Sequence, residues 1–245
     1  MKKSKTYGLI GKNIDYSFSK KYFSKKFENE NLNYTYSNFD IKNLSQIESI
    51  LLNDRISGFN VTIPFKEDII KFLDEIDQVA TDIGAVNTIK KINNKNIGYN
   101  TDCIGFEKSL LSLIDKKKTE NALILGSGGA SKAIKYVLKK LKIKYSTVSR
   151  HKGKSEFIYE NLNNEIINRF KIIINCTPVG TYPKIKDCPN IPYKSLTKEH
   201  ILYDLIYNPI ETLFLKKGKE LGCKTKNGLE MLEIQANESW RIWNY

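Results

Sequence analysis

The sequence predicts an α/β fold in two domains, the second of them opening on a strand, a glycine turn and a helix. Three observations carry that expectation. Ala122-Leu123-Ile124-Leu125 is an unbroken apolar run of the kind a parallel strand needs when both of its faces are covered. Gly126, Gly128 and Gly129 follow directly, and Ala130, Ala133, Ile134, Val137, Leu138 and Leu141 then recur at helical spacing. This strand, turn and helix begin near the middle of 245 residues, after a first half that already alternates short strands with helices.

The composition narrows the class. The 40 Lys and Arg outnumber the 27 Asp and Glu, giving a net charge of +13. The basic residues are spread along the chain and accompany no helix-turn-helix, zinc-finger or RNA-binding aromatic signature. A basic nucleic-acid-binding protein is therefore the distant alternative, and no nucleic-acid partner is expected. The same charge helps to draw an anionic substrate and cofactor. Cys103, Cys176, Cys188 and Cys223 form no Cys-x-x-Cys pair, which argues against zinc and a disulfide framework and for a reducing compartment. No apolar run reaches membrane-spanning length, and the charged start at Met1 leads into no apolar stretch, so a cytoplasmic protein with no membrane partner is expected. With only His151 and His200, acid/base chemistry falls to Lys, Asp, Glu, Tyr or Cys, and no metal is expected.

In chain order, Tyr7 to Ile10 read as a strand ending at Gly11, and a helix with Tyr22, Phe23 and Phe27 inward follows Tyr16-Ser17-Phe18-Ser19. Ser17 and Ser19 have two readings: one of them caps the helix, or both aim hydroxyls at a small anion at its N-terminus. A strand over Tyr34 to Phe39 and a helix carrying Leu44, Ile47 and Leu51 come next. In Gly58-Phe59-Asn60-Val61-Thr62-Ile63-Pro64-Phe65-Lys66, alternation puts Phe59, Val61 and Ile63 on one strand face and Asn60 and Thr62 on the other. Pro64 ends the strand before Lys66, leaving a polar edge where open α/β sheets bind ligands. A helix with Ile69, Ile70, Leu73 and Ile76 inward, a strand from Ala85 to Ile92, a turn at Asn93 to Asn96 and a return over Ile97 to Asn100 complete the first half. After Asp102 and Gly105-Phe106, a helix bearing Leu110, Leu113 and Ile114 connects the domains through Lys116-Lys117-Lys118.

A helix that starts on glycines exposes unpaired N–H groups and lets phosphates approach the backbone. Ser131 stands where a strict Gly-x-Gly-x-x-Gly has its third glycine, so the turn alone is equally an ordinary strand-to-helix corner. The next strand, Tyr145 to Val148, ends in Ser149-Arg150-His151-Lys152, and no carboxylate occurs between Glu120 and Glu156. A cationic strand end without the usual ribose-binding acid suits a 2′-phosphate, which predicts NADP(H) with Arg150 as main contact. Strands at Ile172 to Ile174 and Ile201 to Leu205 and a helix over Leu229 to Trp243 follow. On that helix Gln235 is either a satisfied buried amide or a ligand contact.

In order along the chain, the following pieces resemble the shikimate dehydrogenase family: Ser17 and Ser19, Asn60-Val61-Thr62-Ile63-Pro64-Phe65-Lys66, Ala85-Val86-Asn87-Thr88, Asn100-Thr101-Asp102, Gly126-Ser127-Gly128-Gly129-Ala130, Ser149-Arg150, Asn175-Cys176-Thr177-Pro178-Val179-Gly180, Tyr207-Asn208-Pro209 and Gly228-Leu229-Glu230-Met231-Leu232-Glu233-Ile234-Gln235. The resemblance implies a substrate-binding domain over residues 1–103 plus 229–245, an NADP-binding Rossmann-like domain over 104–228, and a C-terminal helix returning to the first domain. It implies reversible NADPH-dependent reduction of 3-dehydroshikimate to shikimate. By position, Ser17, Ser19 and Tyr207 would hold the substrate carboxylate and Asn60, Thr62, Asn87 and Gln235 the ring hydroxyls. Lys66 and Asp102 would stand at the reacting carbon, with the formal proton donor open between them. Gly126, Ser127, Gly128, Gly129, Ala130, Ser149, Arg150, Thr177 and Gly228 would line the cofactor.

Four positions depart from the family pattern: Tyr16 for a usual His, Lys20 for Pro, Cys176 for Ala and Pro178 for Ser. The nearest rival is a quinate or dual quinate/shikimate dehydrogenase. A short-chain dehydrogenase fits less well, because Tyr-x-x-x-Lys at Tyr16/Lys20, Tyr22/Lys26 and Tyr136/Lys140 is expected by chance in so Tyr- and Lys-rich a chain. A monomer or homodimer is expected.

Overall fold

The computed structural model describes residues 4–15, 17–115, 120–151, 153 and 155–245; Tyr16, Lys116 to Lys118 and Lys152 lie outside them. The chain divides into two compact units, Met1–Thr101 with Ala236–Tyr245, and Asp102–Gln235. No described helix is long and apolar enough to cross a membrane.

The first unit contains β1 (Lys5–Gly11), α1 (Phe18–Asn29), β2 (Tyr34–Asp40), α2 (Ile47–Leu51), β3 (Ile56–Val61), β4 (Glu75–Ile76), α3 (Gln78–Ile83), β5 (Thr88–Ile92) and β6 (Lys95–Tyr99). Its sheet runs β2-β1-β3-β5-β6-β4. β1 pairs in parallel with β2 and β3, whereas β5 is antiparallel to both β3 and β6. Asn93 and Asn94 sit at φ 50° and 61°. That left-handed pair is what a two-residue hairpin turn needs, and Asn tolerates it. One core of the unit is aliphatic, with Ile10, Ile47, Val61, Ile69 and Ile89 beside Phe59. The other is aromatic: Tyr7, Phe23, Phe27 and Tyr36 gather with Trp243, and Trp240 packs at the edge.

Several expectations shift for physical reasons. The sheet part of the Asn60 stretch stops at Val61, so Ile63 does not continue the inward alternation and is 62% exposed. The helix expected over Ile69 to Ile76 is a 3-10 turn at Asp68–Phe72, after which Ile76 pairs as β4 against β6. Likewise Leu44 belongs to a 3-10 turn, Leu44–Gln46, ahead of α2. The hairpin strand begins at Thr88 rather than Ala85, and its return at Lys95 rather than Ile97.

The second unit carries α4 (Asp102–Leu111), β7 (Ala122–Leu125), α5 (Gly129–Lys140), β8 (Tyr145–Ser149), β9 (Phe157–Ile158), α6 (Asn164–Arg169), β10 (Ile172–Asn175), β11 (Ile201–Asp204), α7 (Leu213–Glu220) and β12 (Lys224–Lys226), followed by α8 (Leu229–Asn244). α4 starts at Asp102 and ends before Leu113 and Ile114, earlier than their spacing suggested. The sheet order is β12-β11-β10-β7-β8-β9, and all its neighbouring strands run parallel. All four residues of β7 are fully buried, as its apolar run required. Because β8 lies on one side of β7 and β10 on the other, the chain reverses its winding at the end of β7. Open α/β sheets bind ligands at such a switch point.

α8 begins in the second unit and finishes in the first. Within the first unit Trp243 stacks on Tyr7 at 4.5 Å between centroids, and its Nε1 donates to the Ile89 carbonyl at 3.0 Å. Gly58 makes room for it: a Cβ there would lie 2.6 Å from Trp243 Nε1.

Candidate active site

In the first unit, polar side chains gather from β2, the end of β3, the start of β5 and the start of α1. Ser17 occupies the N-cap position of α1 but makes no side-chain capping bond. Its hydroxyl is buried and has no partner among the described residues. A buried hydroxyl without a partner costs about 1–3 kcal/mol, so an anion at this helix start would relieve a penalty. Ser19, half-buried, hydrogen-bonds the Tyr36 oxygen. The Tyr36 hydroxyl in turn donates to Asn60 Oδ1 at 2.8 Å. Burial pushes the Tyr36 hydroxyl well above its ordinary value, against the opposing Ser19 bond, so it stays a neutral donor.

Asn60 Nδ2 donates to Ser239 Oγ at 2.9 Å and to Asn87 O and Thr88 Oγ1 at 3.3 Å. Asn87 is held by Thr101, whose N–H donates to its Oδ1 at 2.7 Å, while its Nδ2 donates to Thr101 Oγ1 at 2.9 Å. Asn60 and Asn87 are thus fixed by their own network. Thr62 and Lys66 are half-buried past the end of β3. The Lys66 carbonyl accepts from Val86 N at 2.8 Å, which sets its backbone beside the segment carrying Asn87.

Sequence reasoning missed Tyr36, Thr88, Thr101 and Ser239 as members of this network. Tyr36 lay inside the strand expected over Tyr34 to Phe39, and nothing in that stretch marked it as a site residue. Ser239 lies four residues after Gln235, one helical turn on, and that spacing was its one available signal.

In the second unit the glycine turn sits at the switch point. Gly126 has φ +108°, where an L side chain is strained, and a Cβ on Gly128 would meet nothing within 4 Å. Gly128 caps α5 from an extended conformation without a side-chain bond. Ser127 is exposed, and Gly129 and Ala130 are half-buried. Ser131, in place of the third glycine, is buried and donates from Oγ to Gly128 O at 2.7 Å. The uncapped start of a 12-residue helix beside open space fits the pyrophosphate of a dinucleotide.

Ser149 shapes the end of β8, donating to His151 O at 2.7 Å and accepting from Ser155 Oγ at 2.8 Å. Arg150 is exposed, and no carboxylate among the described residues pairs with it. The next acid, Glu156, accepts from Thr147 N at 2.7 Å and from the Thr147 hydroxyl. Burial raises its pKa, but those bonds outweigh burial and hold the carboxyl below its usual range. Thr177 is half-buried and bonds Asn175. Gly228 is obligatory, since a Cβ would fall 2.1 Å from Leu205 O. Tyr207 is half-buried.

Asp102 opens α4 and is buried. Gln235 is buried on α8 and donates from Nε2 to Leu232 O at 3.0 Å. The two helices touch at Gly105, where a Cβ would lie 2.5 Å from Met231 O and 3.2 Å from Gln235 Cβ. Asp102 is one turn upstream of that contact.

A doubly wound parallel sheet with an open glycine turn, joined in one chain to a mixed sheet bearing buried Ser, Asn and Thr groups, defines a dinucleotide-binding α/β enzyme class. Residues 9–89 match the family described as the shikimate dehydrogenase substrate binding domain. A curated relative named shikimate dehydrogenase (NADP(+)), from Methanococcus vannielii, is 41% identical over 96% of this chain and 90% of its own. The crystal structure of shikimate dehydrogenase 1 from Peptoclostridium difficile superposes with a TM-score of 0.88 at 37% identity, covering 98% of this chain and 91% of that one. The shikimate 5-dehydrogenase of Thermus thermophilus, in complex with NADP(H) and shikimate, gives a TM-score of 0.87 at 26% identity over 98% and 93% of the two chains. The chain belongs to the shikimate dehydrogenase family.

Proposed function

We propose that this protein reduces 3-dehydroshikimate to shikimate reversibly with NADPH, a step in aromatic amino-acid biosynthesis. The observation that carries the reading is the buried, unpartnered Ser17 hydroxyl two residues from Ser19, a seat for a carboxylate at a helix start. Its chain partner is a second sheet with an open glycine turn and an exposed arginine at the next strand end. The substrate-binding part corresponds to residues 1–103 plus 229–245 and the cofactor-binding part to 104–228.

Bound NADPH supplies the hydride. Ser17, Ser19 and Tyr207 donate to the substrate carboxylate. Thr62, Asn87, Asn60 and Gln235 orient the ring hydroxyls; the two asparagines arrive fixed by Thr101, Ser239 and Tyr36, so little ordering cost remains. As hydride reaches the carbonyl carbon, charge grows on its oxygen, and the Lys66 ammonium stabilises and protonates it while Asp102 holds the ammonium in place. At the other site Gly126, Ser127, Gly128, Gly129 and Ala130 receive the pyrophosphate, Arg150 with Ser149 the 2′-phosphate, and Thr177 and Gly228 the remaining wall. Four free cysteines suit a reducing cytoplasm. The partner is a small molecule rather than nucleic acid, and the protein is a monomer or homodimer.

The test is the absorbance of reduced nicotinamide with shikimate or quinate and NADP or NAD. Rapid reduction with shikimate and NADP alone is expected. Equal rates with quinate would move the protein to the dual-specificity branch, and no reduction with any pair would refute the activity. Lys66→Ala should lose about 10²–10⁴ in kcat with a smaller change in KM; near-normal turnover would remove Lys66 from the chemistry.

A further inference from the structure

At the carboxyl ends of β10 and β11 lies a buried polar chain that ends on Thr177, one of the proposed cofactor contacts. Asp204, the last residue of β11, is fully buried. Its carboxylate accepts from Thr212 Oγ1 at 2.6 Å, Asn175 Nδ2 at 3.0 Å and Ile206 N at 3.1 Å. Asn175, its register partner on β10, is also fully buried and turns its other amide atom away from Asp204. There Oδ1 accepts from Thr177 Oγ1 at 2.6 Å and Thr177 N at 3.0 Å. Thr177 Oγ1 accepts from Val179 N at 3.3 Å, and Asn175 Nδ2 reaches Val179 O at 3.4 Å. The far end of the chain is the Thr177 methyl, which lies against the glycine turn: a Cβ on Gly126 would stand 2.9 Å from it.

Burying a carboxylate is expensive, and where it stabilises nothing an apolar residue of similar size does as well. Burial raises the Asp204 carboxyl to about 6 even though three donors pull the other way. What the carboxylate supplies instead is direction. It fixes which face of the Asn175 amide points to Asp204 and therefore presents Oδ1 to Thr177. A ligand wall built on a loop keeps its geometry only when a supporting shell locks it.

We propose that Asp204 and Asn175 are positioning residues for the dinucleotide, holding the Thr177 loop as one wall of the glycine turn so that cofactor affinity depends on two side chains that do not touch the cofactor. The proposal rests on reading that turn as the NADP(H) site. It is tested with Asn175→Ala, Asp204→Leu and the double variant, measuring Kd for NADPH and for NADH by fluorescence, and Kd for shikimate by calorimetry. Each single variant should weaken NADPH and NADH by the same factor, about tenfold, with shikimate affinity within twofold of the parent. The double variant should be no weaker than the worse single one, because residues of one relay are not additive. Arg150→Ala gives the contrasting pattern, weakening NADPH alone.

Variants that melt earlier but keep the parental NADPH Kd would show a merely structural role and overturn the proposal. Loss of NADPH binding with NADH unchanged would also overturn it, placing the effect at the 2′-phosphate. Asp204→Leu keeps the size but removes the oxygen that Asn175 Nδ2 and Ile206 N share, so it carries the test if Asn175→Ala does not fold. If the parent protein binds neither dinucleotide, the reading of the turn fails; if the parent binds and the variants match it, only this inference fails.

Discussion

The Tyr36 hydroxyl donates to Asn60 Oδ1 at 2.8 Å while its oxygen receives Ser19, so one phenol joins a proposed carboxylate contact to a proposed ring-hydroxyl contact. Tyr36→Phe keeps the stack on Phe23, whose centroid is 4.8 Å away, and removes only that link. Losing one such hydrogen bond costs about 0.5–1.5 kcal/mol. The expected outcome is a KM for shikimate raised about three- to tenfold with kcat changed less, read by steady-state kinetics. A lower KM would mean that Tyr36 competes with substrate for the Ser19 proton.

Arg150 is exposed at the end of β8, and Glu156, the next acid, is engaged with Thr147. A charge-assisted contact to phosphate accounts for about 1.5–3 kcal/mol. Arg150→Asp should therefore raise KM for NADPH by about tenfold or more and leave KM for NADH little changed or lower. An unchanged cofactor preference would move the 2′-phosphate contact elsewhere.

Tyr7 is fully buried, and its hydroxyl has no partner among the described residues. Burial drives that hydroxyl far above its ordinary pKa, with Tyr34 adding to the shift, so it is a neutral group deprived of water. The ring is what the fold uses: it stacks on Trp243 and meets Phe27, Tyr34 and Trp240. Tyr7→Phe keeps those contacts and removes the unsatisfied oxygen, so stability should rise by up to about 1 kcal/mol, a Tm increase of about 2–4 °C. Melting followed by Trp240 and Trp243 fluorescence reads the affected cluster directly. A loss of stability would show that the hydroxyl is bonded in solution.

The elements legible in the sequence are those specified locally. β7 runs over the same four residues as its apolar run, and the helix after the glycines begins where the periodicity does. The turn expected over Asn93 to Asn96 marked the hairpin, and the structure narrows it to Asn93 and Asn94 ahead of Lys95. What stayed hidden depends on partners remote in the chain: Tyr36 meets Asn60 across 24 positions, and Asn60 meets Ser239 across 179. Ile63 went astray because alternation counts residues and cannot see where pairing stops. Ser17 and Ser19 had two readings in sequence, and only burial without a capping bond supports the anion seat over the cap. Asp204 gave no signal, since a lone carboxylate at a strand end becomes a positioning group only beside Asn175 and Thr212.

Folding stability should carry a pH signature from His200, the fully buried imidazole between α6 and β11. Its Nδ1 lies 3.0 Å from Thr197 N, which donates to it, and Nε2–H donates to Ile167 O at 3.2 Å, an arrangement that needs the neutral ring. Burial depresses its pKa below 6.5, with Lys171 adding to the effect and the Ile167 and Thr197 bonds and Glu199 opposing it. The unfolded chain therefore binds this proton first as pH falls below 6.5, so stability is full above that value and is lost downward through the folded-state pKa. Asp204 works oppositely: its carboxyl is raised to about 6 from 3.8, so the native state takes up that proton first and gains stability as pH falls through this window. The two contributions overlap, and a pH scan of the parent alone would hide both. His200→Asn isolates one of them. The variant should be less stable at pH about 7.5, and its deficit should shrink at pH about 5.5, by up to about 1.4 kcal/mol per pH unit. Urea titrations of parent and variant at the two pH values measure the difference; a deficit that stays constant would mean that His200 does not titrate with folding.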